Sequence, residues 1–320
     1  MAKILTTSEL IETALRRAMI PSDQSTFDDE DIIDIMNEEI GIHILPVVLR
    51  AHEEYYVVNE DIPLVDGQTK YKIPYRAVGN KLRDIHMVDG ANALYEMTRI
   101  SSEHRSDYHN RFYGRQYNKN IPFYLENDSI VLLTETPSAA SIRMTYYLRP
   151  NDMVLEKRGA TITDIAVDTD TTTLTLTQVP DHFPATVLYD FVQAQSPNKI
   201  LGFDIAMDSV NPTLKTITFK NSDISSLGLK IGDHLAKAEE TFVAQIPTEL
   251  QPILAQRVAV KMLEALGDAQ GMQMAQNELE RMEYNSQTLI DNRVEGAPQK
   301  VSNRHSMLRT TIGPGRIKRL

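Results

Sequence analysis

The 320-residue chain contains no cysteine and no tryptophan. Without cysteine it forms no disulfide, has no thiolate nucleophile and lacks the soft ligands of structural zinc sites. Without tryptophan it lacks a common sugar-stacking side chain, which counts against carbohydrate binding. Long apolar runs are missing too. The richest stretch, Ile40 to Leu49, is interrupted by His43 and Pro46 and falls far short of the roughly 20 residues that cross a bilayer. The start, Met1-Ala2-Lys3-Ile4-Leu5, turns polar at Thr6 and acidic at Glu9, so no signal segment is expected. A soluble chain without a membrane partner is the expectation.

Chemical signatures are also absent. None of the eight histidines falls in an H-E-x-x-H pattern, and His104 and His109 are off a shared helical face. No G-x-S-x-G elbow, Walker loop or G-x-G-x-x-G occurs, and Gly313-Pro314-Gly315 reads as a turn. Asp164, Asp168 and Asp170 lack the glycine and terminal glutamate of an EF-hand loop, so a solvated turn fits better than calcium. The expectation is a chain that is not an enzyme, with no catalytic residues, no metal and no cofactor.

Charge supplies the first positive signal. The chain carries 44 acidic and 33 basic residues, yet residues 293–320 hold seven Lys/Arg against one acid, Glu295. An acidic body ends in a basic, aperiodic tail. Such a body is a poor wrapper of duplex DNA, which leaves a basic footprint on its binders.

Along the chain, Thr6 and Glu9 form a capping box ahead of Ile11, Ala14, Leu15, Ala18 and Met19, and Pro21 ends this helix. A second helix starts at Thr26 with Asp29, its acids Asp28 to Asp31 suiting the helix N-terminus. Its stripe is Ile32, Met36, Ile40, Ile44 and Val47, with Pro46 kinking or ending it. Strands are expected at Tyr55–Val58, Tyr71–Pro74, Leu82–Val88, Tyr95–Ile100, Pro122–Glu126, Ser129–Thr134 and Ser141–Leu148, with turns at Asp66-Gly67 and Asn127-Asp128. Ser101 and Ser102 cap a short helix ending near Gly114. Tyr108, Phe112, Tyr113, Tyr117, Phe123 and Tyr124 interleave there with Arg105, Arg111 and Arg115. That mixture suits a base-stacking platform or, more commonly, a satellite core with snorkelling arginines.

Composition shifts at 153–244, which is Thr-rich and period-two in Thr173–Thr177 and Thr216–Phe219. Further strands are expected at Ala160–Val167, Thr186–Phe191, Ile200–Met207 and His234–Ala238, a small sandwich or barrel inserted in the chain. Beyond it, Leu250, Leu254, Val258, Met262 and Leu266 recur every four residues. Gly267 and Gly271 bracket a break, after which Met272, Ala275, Leu279, Met282 and Leu289 keep helical spacing. The fold class is α+β: a helical body with a small β platform (1–152 and 245–292), an inserted all-β domain (153–244) and an extended C-terminal tail (293–320).

Several of these stretches carry a resemblance. Asp31-Ile32-Ile33-Asp34-Ile35-Met36-Asn37-Glu38 falls in the N-terminal helix pair. Tyr71-Lys72-Ile73-Pro74, Leu82-Arg83-Asp84-Ile85 and Ile121-Pro122-Phe123-Tyr124 follow. Then come Ile130–Leu133, Ile142–Tyr147, Leu148-Arg149-Pro150 and Ile246-Pro247-Thr248-Glu249-Leu250. In this order the chain resembles the head-to-tail connector (adaptor) proteins of tailed bacteriophages over 1–152 and 245–300, whereas 153–244 departs from the simpler members.

The resemblance implies a virion protein of the head–tail junction, assembled in the host cytoplasm. It implies a ring, typically of twelve subunits, between the portal protein and a tail or nozzle protein, around double-stranded DNA that passes without sequence recognition. Leu254, Val258, Met262, Met272, Leu279, Met282 and Leu289 would then serve the ring interface. Lys300, Arg304, Met307, Leu308, Arg309, Ile312, Arg316, Ile317, Lys318, Arg319 and Leu320 would dock on the portal. Two rival readings are a tail accessory protein with a carbohydrate- or partner-binding β domain, and nucleic-acid binding by the tail. The tail has no Phe, Tyr or Trp, which removes the stacking part of single-strand recognition.

Overall fold

The computed structural model describes residues 5–21, 26–104, 122–133, 141–180, 183–184, 186–195 and 198–290. It contains both helices and antiparallel sheets, as an α+β chain should.

Helix α1 (Thr7–Arg17) starts with both legs of the expected capping box, Thr6 and Glu9 each bonding the other's backbone N–H. It ends before Pro21. Met19 takes φ +56, and Ile20 N–H returns to the Leu15 carbonyl at 2.9 Å, a Schellman closure that needs no proline. The second helix, α2 (Asp29–Glu39), is capped two residues later than Thr26 suggests. Asp28 is the N-cap and Asp31 completes its box.

Pro46 neither ends nor breaks the chain's helical course. Residues Ile40–Ile44 form one π turn, with Leu45 N–H reaching back five residues to Ile40, and α3 (Leu45–Ala51) begins with Pro46 in its first turn. Proline has no N–H and crowds the carbonyl four residues back; the wider turn makes that room.

Near the C-terminus, α5 (Gln251–Leu266; α4, Asn221–Ile224, is a single turn) and α6 (Ala269–Ile290) form the expected hairpin. Gly267 closes α5 at φ +73, where a side chain is strained. Gly271 lies inside the first turn of α6, its N–H bonded to Asp268 Oδ1 at 2.9 Å. A four-residue repeat drifts about 40° per step on a 3.6-residue helix. Leu250, Leu254, Val258 and Met262 are accordingly buried, whereas Leu266 has rotated out to 45% exposure. Ile253, Ala255, Ala259 and Leu263 are buried as well, so α5 is apolar on most sides and forms the hub of the bundle.

The β platform consists of two small sheets over a shared core that includes Tyr71, Met87, Ile130, Met144 and Tyr146. One has the order β1-β7-β3-β4, from β1 (Val57–Pro63), β3 (Ala77–Val88), β4 (Leu94–Glu96) and β7 (Ser141–Leu148). The other has the order β2-β6-β5, from β2 (Lys70–Lys72), β5 (Phe123–Glu126) and β6 (Ser129–Leu132). Tyr55 and Tyr56, expected in a strand, instead belong to a 3₁₀ turn that feeds β1. Phe123 and Tyr124 are buried core residues. The helix expected toward Gly114 is described only as a 3₁₀ turn at Ser102–His104. The remaining residues of that aromatic–arginine group, from Arg105 to Tyr117, lie outside the described residues.

The inserted segment forms one seven-stranded antiparallel sheet, ordered β12-β11-β15-β9-β10-β14-β13. Its strands are β9 (Gly159–Val167), β10 (Thr171–Leu176), β11 (Leu188–Val192), β12 (Ile200–Ala206), β13 (Ser209–Asn211), β14 (Thr216–Lys220) and β15 (His234–Lys237). Strands β11 and β14 stand four places apart, about 19 Å in a flat sheet. The rings of Phe191 and Phe219 are nevertheless 5.2 Å apart, centre to centre, so the sheet curls over its own core. It bends along β9, which pairs with β15 through residues 159–161 and with β10 through 162–167. Among the described residues β12 and β13 remain edges, leaving the curl short of a closed barrel. A side chain at Gly159 would meet the Phe242 ring at 2.1 Å, so the entry to this strand needs glycine.

Candidate interaction surfaces

The insertion leaves and rejoins the body through β8 (Asp152–Met153) and β16 (Glu240–Thr241), which run parallel side by side. On α2, Asn37 acts as a backbone mimic beside them. Its Nδ2 donates to the Met153 carbonyl at 3.1 Å and its Oδ1 accepts Met153 N–H at 2.7 Å.

Behind this doorway lies a buried charged junction. Arg76 is 3% exposed and Asp190 is fully buried. Arg76 Nη1 is 2.8 Å from Asp190 Oδ2, and its Nη2 donates to Asp190 Oδ1 and Asp204 Oδ1, both at 2.9 Å. Its Nη1 also donates to Asn151 Oδ1 at 3.0 Å. The remaining capacity of Asp190 is filled by Asn151 Nδ2 at 2.7 Å, Asp204 N–H at 2.9 Å and Glu239 N–H at 3.0 Å. Tyr75 Oη bonds the Asp204 carboxylate from the outside. Burial works to lower the pKa of Arg76, but the hydrogen bonds to Asp204 and Asp190 outweigh it and hold the pKa above the usual value. A buried ion pair is favourable only when its remaining bonds are also met, and here each charged partner is met several times. The platform supplies Arg76, the insertion supplies Asp190 and Asp204, and Asn151 sits on the doorway.

His234 on β15 is half-buried, its ring 4.8 Å from that of Phe242 and its Nδ1 3.2 Å from Thr161 Oγ1. Burial pushes its pKa below the ordinary 6.5, with Asp233 opposing weakly. The unfolded chain, with an ordinary imidazole, therefore binds the proton first as pH falls. This contribution to stability is present above about pH 6.5 and is lost progressively below it. By NMR, the His234 imidazole is expected to titrate below the same residue in denaturant. An equal or higher value would remove this source of acid sensitivity.

The residues expected at a ring interface separate into groups. Leu254, Val258 and Met262 are fully buried in the chain's own core, and Leu279 is 9% exposed in the same cluster. Met272 and Met282 are half-buried and pack against it. Leu254, Val258, Met262 and Leu279 are therefore occupied within the subunit, while Met272 and Met282 keep part of their surface exposed. Leu289 falls in α6, at a position whose side chain is outside the described residues. The outer face of α6 carries a separate seam, Met274, Asn277, Arg281 and Tyr284, all exposed, with Met274 at 66% and Tyr284 at 76%. On α2, Asp29, Glu30, Asp34 and Glu38 face outward.

The basic tail, from Lys300 and Arg304 through Met307, Leu308, Arg309, Ile312, Arg316, Ile317, Lys318 and Arg319 to Leu320, lies outside the described residues. Among the described residues no group of three or more His, Asp or Glu is placed to hold a metal ion, and no helix is long and apolar enough to cross a membrane.

No curated protein matches this sequence. A family model described as SU10 adaptor protein matches residues 5–200. The match takes in both N-terminal helices, the whole β platform and the inserted strands up to the start of β12. The family pattern thus extends past Arg149-Pro150 into the segment expected to depart from it, while 245–300 lies beyond the matched residues. The match spans more than half of the chain, and the protein belongs to the SU10 adaptor family, a family of phage head-to-tail adaptors.

Proposed function

We propose that this chain is a structural, non-enzymatic subunit of a ring that joins the portal protein of a phage head to a tail or nozzle protein and surrounds the exiting DNA. The observation that carries this reading is the family match over residues 5–200. Ring contacts then fall on surfaces the subunit does not use for itself. The outer seam of α6 suits this role because Met274, Asn277, Arg281 and Tyr284 keep helical three–four spacing and end in large exposed side chains. An acidic face such as that of α2, turned to the lumen, repels phosphate and lets the duplex slide.

The basic tail is the proposed portal anchor. Its 28 residues reach roughly 90 Å if extended. Ordering them costs about 1 kcal/mol or more per residue, so one tail binds weakly. A ring presents many tails at once, and multivalency raises affinity by about 10² to 10⁴.

Electron microscopy and native mass spectrometry of the full chain with its portal test the reading: a symmetric ring is expected on the portal, and a persistent monomer would sink it. Deleting 301–320 is expected to leave the body folded and to abolish docking. Unchanged docking would move the contact elsewhere.

A further inference from the structure

Strand β1 ends the four-stranded sheet. It pairs with β7 on one side and with no strand on the other among the described residues. The parity of its free edge follows from Pro63, which stands opposite Ser141. Proline has no N–H for the ladder, so in an edge strand its nitrogen faces away from the partner. Outward residues alternate along an antiparallel pair, and the β1–β7 register runs without a shift. Asn59 and Asp61 therefore also turn N–H and C=O outward. Val57 shares the parity, and its N–H is bonded to the Glu54 carbonyl, outside the sheet.

Two cavities open along this edge. One, of about 90 Å³, is bordered by Tyr56, Val57 and Val58 and, from the start of β12, by Ile200 with Lys199 just before it. The other, of about 750 Å³, is bordered by Glu60, Asp61, Ile62 and Pro63. Successive side chains of a strand point to opposite faces, so consecutive residues share a cavity where the backbone edge itself borders it.

Two residues that border the smaller cavity each hold a buried polar atom without a partner. Asn198 and Gln245 are 1% and 4% exposed. Asn198 spends its Nδ2 on the Ala244 carbonyl at 3.0 Å, which fixes the amide orientation and leaves Oδ1 without a partner. Gln245 spends its Oε1 on Asn151 N–H at 2.7 Å, which leaves Nε2 without a partner. One acceptor and one donor, both buried, complement a peptide group. Arg149 and Lys199 are exposed at the rim, and no carboxylate among the described residues borders this cavity.

We propose that the free edge of β1 receives an extended strand from a partner protein. The incoming chain adds to the sheet along Val57 to Pro63 and offers a peptide group to Asn198 and Gln245. It also sets an acidic residue against Arg149 and Lys199. Backbone bonds supply the affinity and the cavities select side chains, as in β-strand addition. A second copy of the chain is the poorer occupant, because antiparallel pairing of two β1 edges brings Glu60 and Asp61 of one copy against those of the other. This assigns a receiving site on the body, beyond the tail that reaches out from it.

The test pans full-length protein against an mRNA-displayed library of random decapeptides and follows amide hydrogen exchange with the enriched peptides. Enriched sequences are expected to alternate apolar and polar residues, to carry an acid near one end and to slow exchange at Asn59 and Asp61 tenfold or more. Arg149→Glu with Lys199→Glu changes only exposed rim positions and is expected to switch the selected acid to a base. Asn59→Pro removes one outward N–H and no backbone bond to β7 and is expected to weaken binding tenfold or more, whereas Asn59→Ala, which loses only the side-chain bond accepted from Thr145 Oγ1 at 2.7 Å, is expected to leave binding within about twofold. The proposal is overturned by enrichment no better than on bare support, or by protection confined to other segments. An acid preference that survives the double reversal, or a free protein already paired through this edge in solution, overturns it as well.

Discussion

Replacing Arg76 with methionine is expected to lower the unfolding free energy by about 3–5 kcal/mol. The methionine retains most of the stem and removes the charge, so the loss comes from what remains. Asp190 is fully buried and, among the described residues, would keep only Asn151 Nδ2, Asp204 N–H and Glu239 N–H as partners. Three neutral donors offset part of the desolvation of a carboxylate, but not the lost cation. The check is denaturant unfolding, read as a lower midpoint at unchanged slope. Adding Asp190→Asn to Arg76→Met is expected to recover part of the loss by removing the orphaned charge. Recovery is incomplete because an amide offers one acceptor oxygen where the carboxylate offers two, and both Asp204 N–H and Glu239 N–H need one. A double variant no more stable than Arg76→Met alone would show that the buried charge is not the dominant cost.

That junction also marks where sequence reasoning stops. Helix and strand positions were legible because they rest on local periodicity: Leu250 to Met262 every four residues, Thr173 to Thr177 every two. The capping box at Thr6 and Glu9 was legible for the same reason, since its partners are three residues apart. Arg76 and Asp190 are 114 residues apart, and nothing local distinguishes Arg76 from a solvated arginine two residues after a proline. The π turn ahead of Pro46 escaped because its cause is the missing room for a proline ring, not a pattern of apolar residues. The orphaned amides of Asn198 and Gln245 left no mark either. A buried amide and an exposed one have the same letter in the sequence, and only packing separates them.

The stripe on α5 shows a different limit, and it sets up the second large effect. Periodicity says that Leu254 is buried but not against whom, and a ring wall and a subunit core present the same pattern. Leu254 is fully buried within the subunit's own bundle, so Leu254→Ala is expected to cost about 2–5 kcal/mol of subunit stability through lost burial and the cavity left behind. Any failure of assembly in that variant should follow from unfolding and track the melting temperature. The exposed seam on α6 makes the opposite prediction. Met274→Glu with Tyr284→Glu removes no core contact and should change subunit stability by no more than about 0.5 kcal/mol per site. It should still prevent ring formation, because the same two charges are introduced at every subunit contact around a closed ring. Circular dichroism melts with native mass spectrometry separate the two cases. Normal rings from the α6 variant would remove that face from the interface, and a ring lost without loss of stability in Leu254→Ala would return the α5 stripe to it.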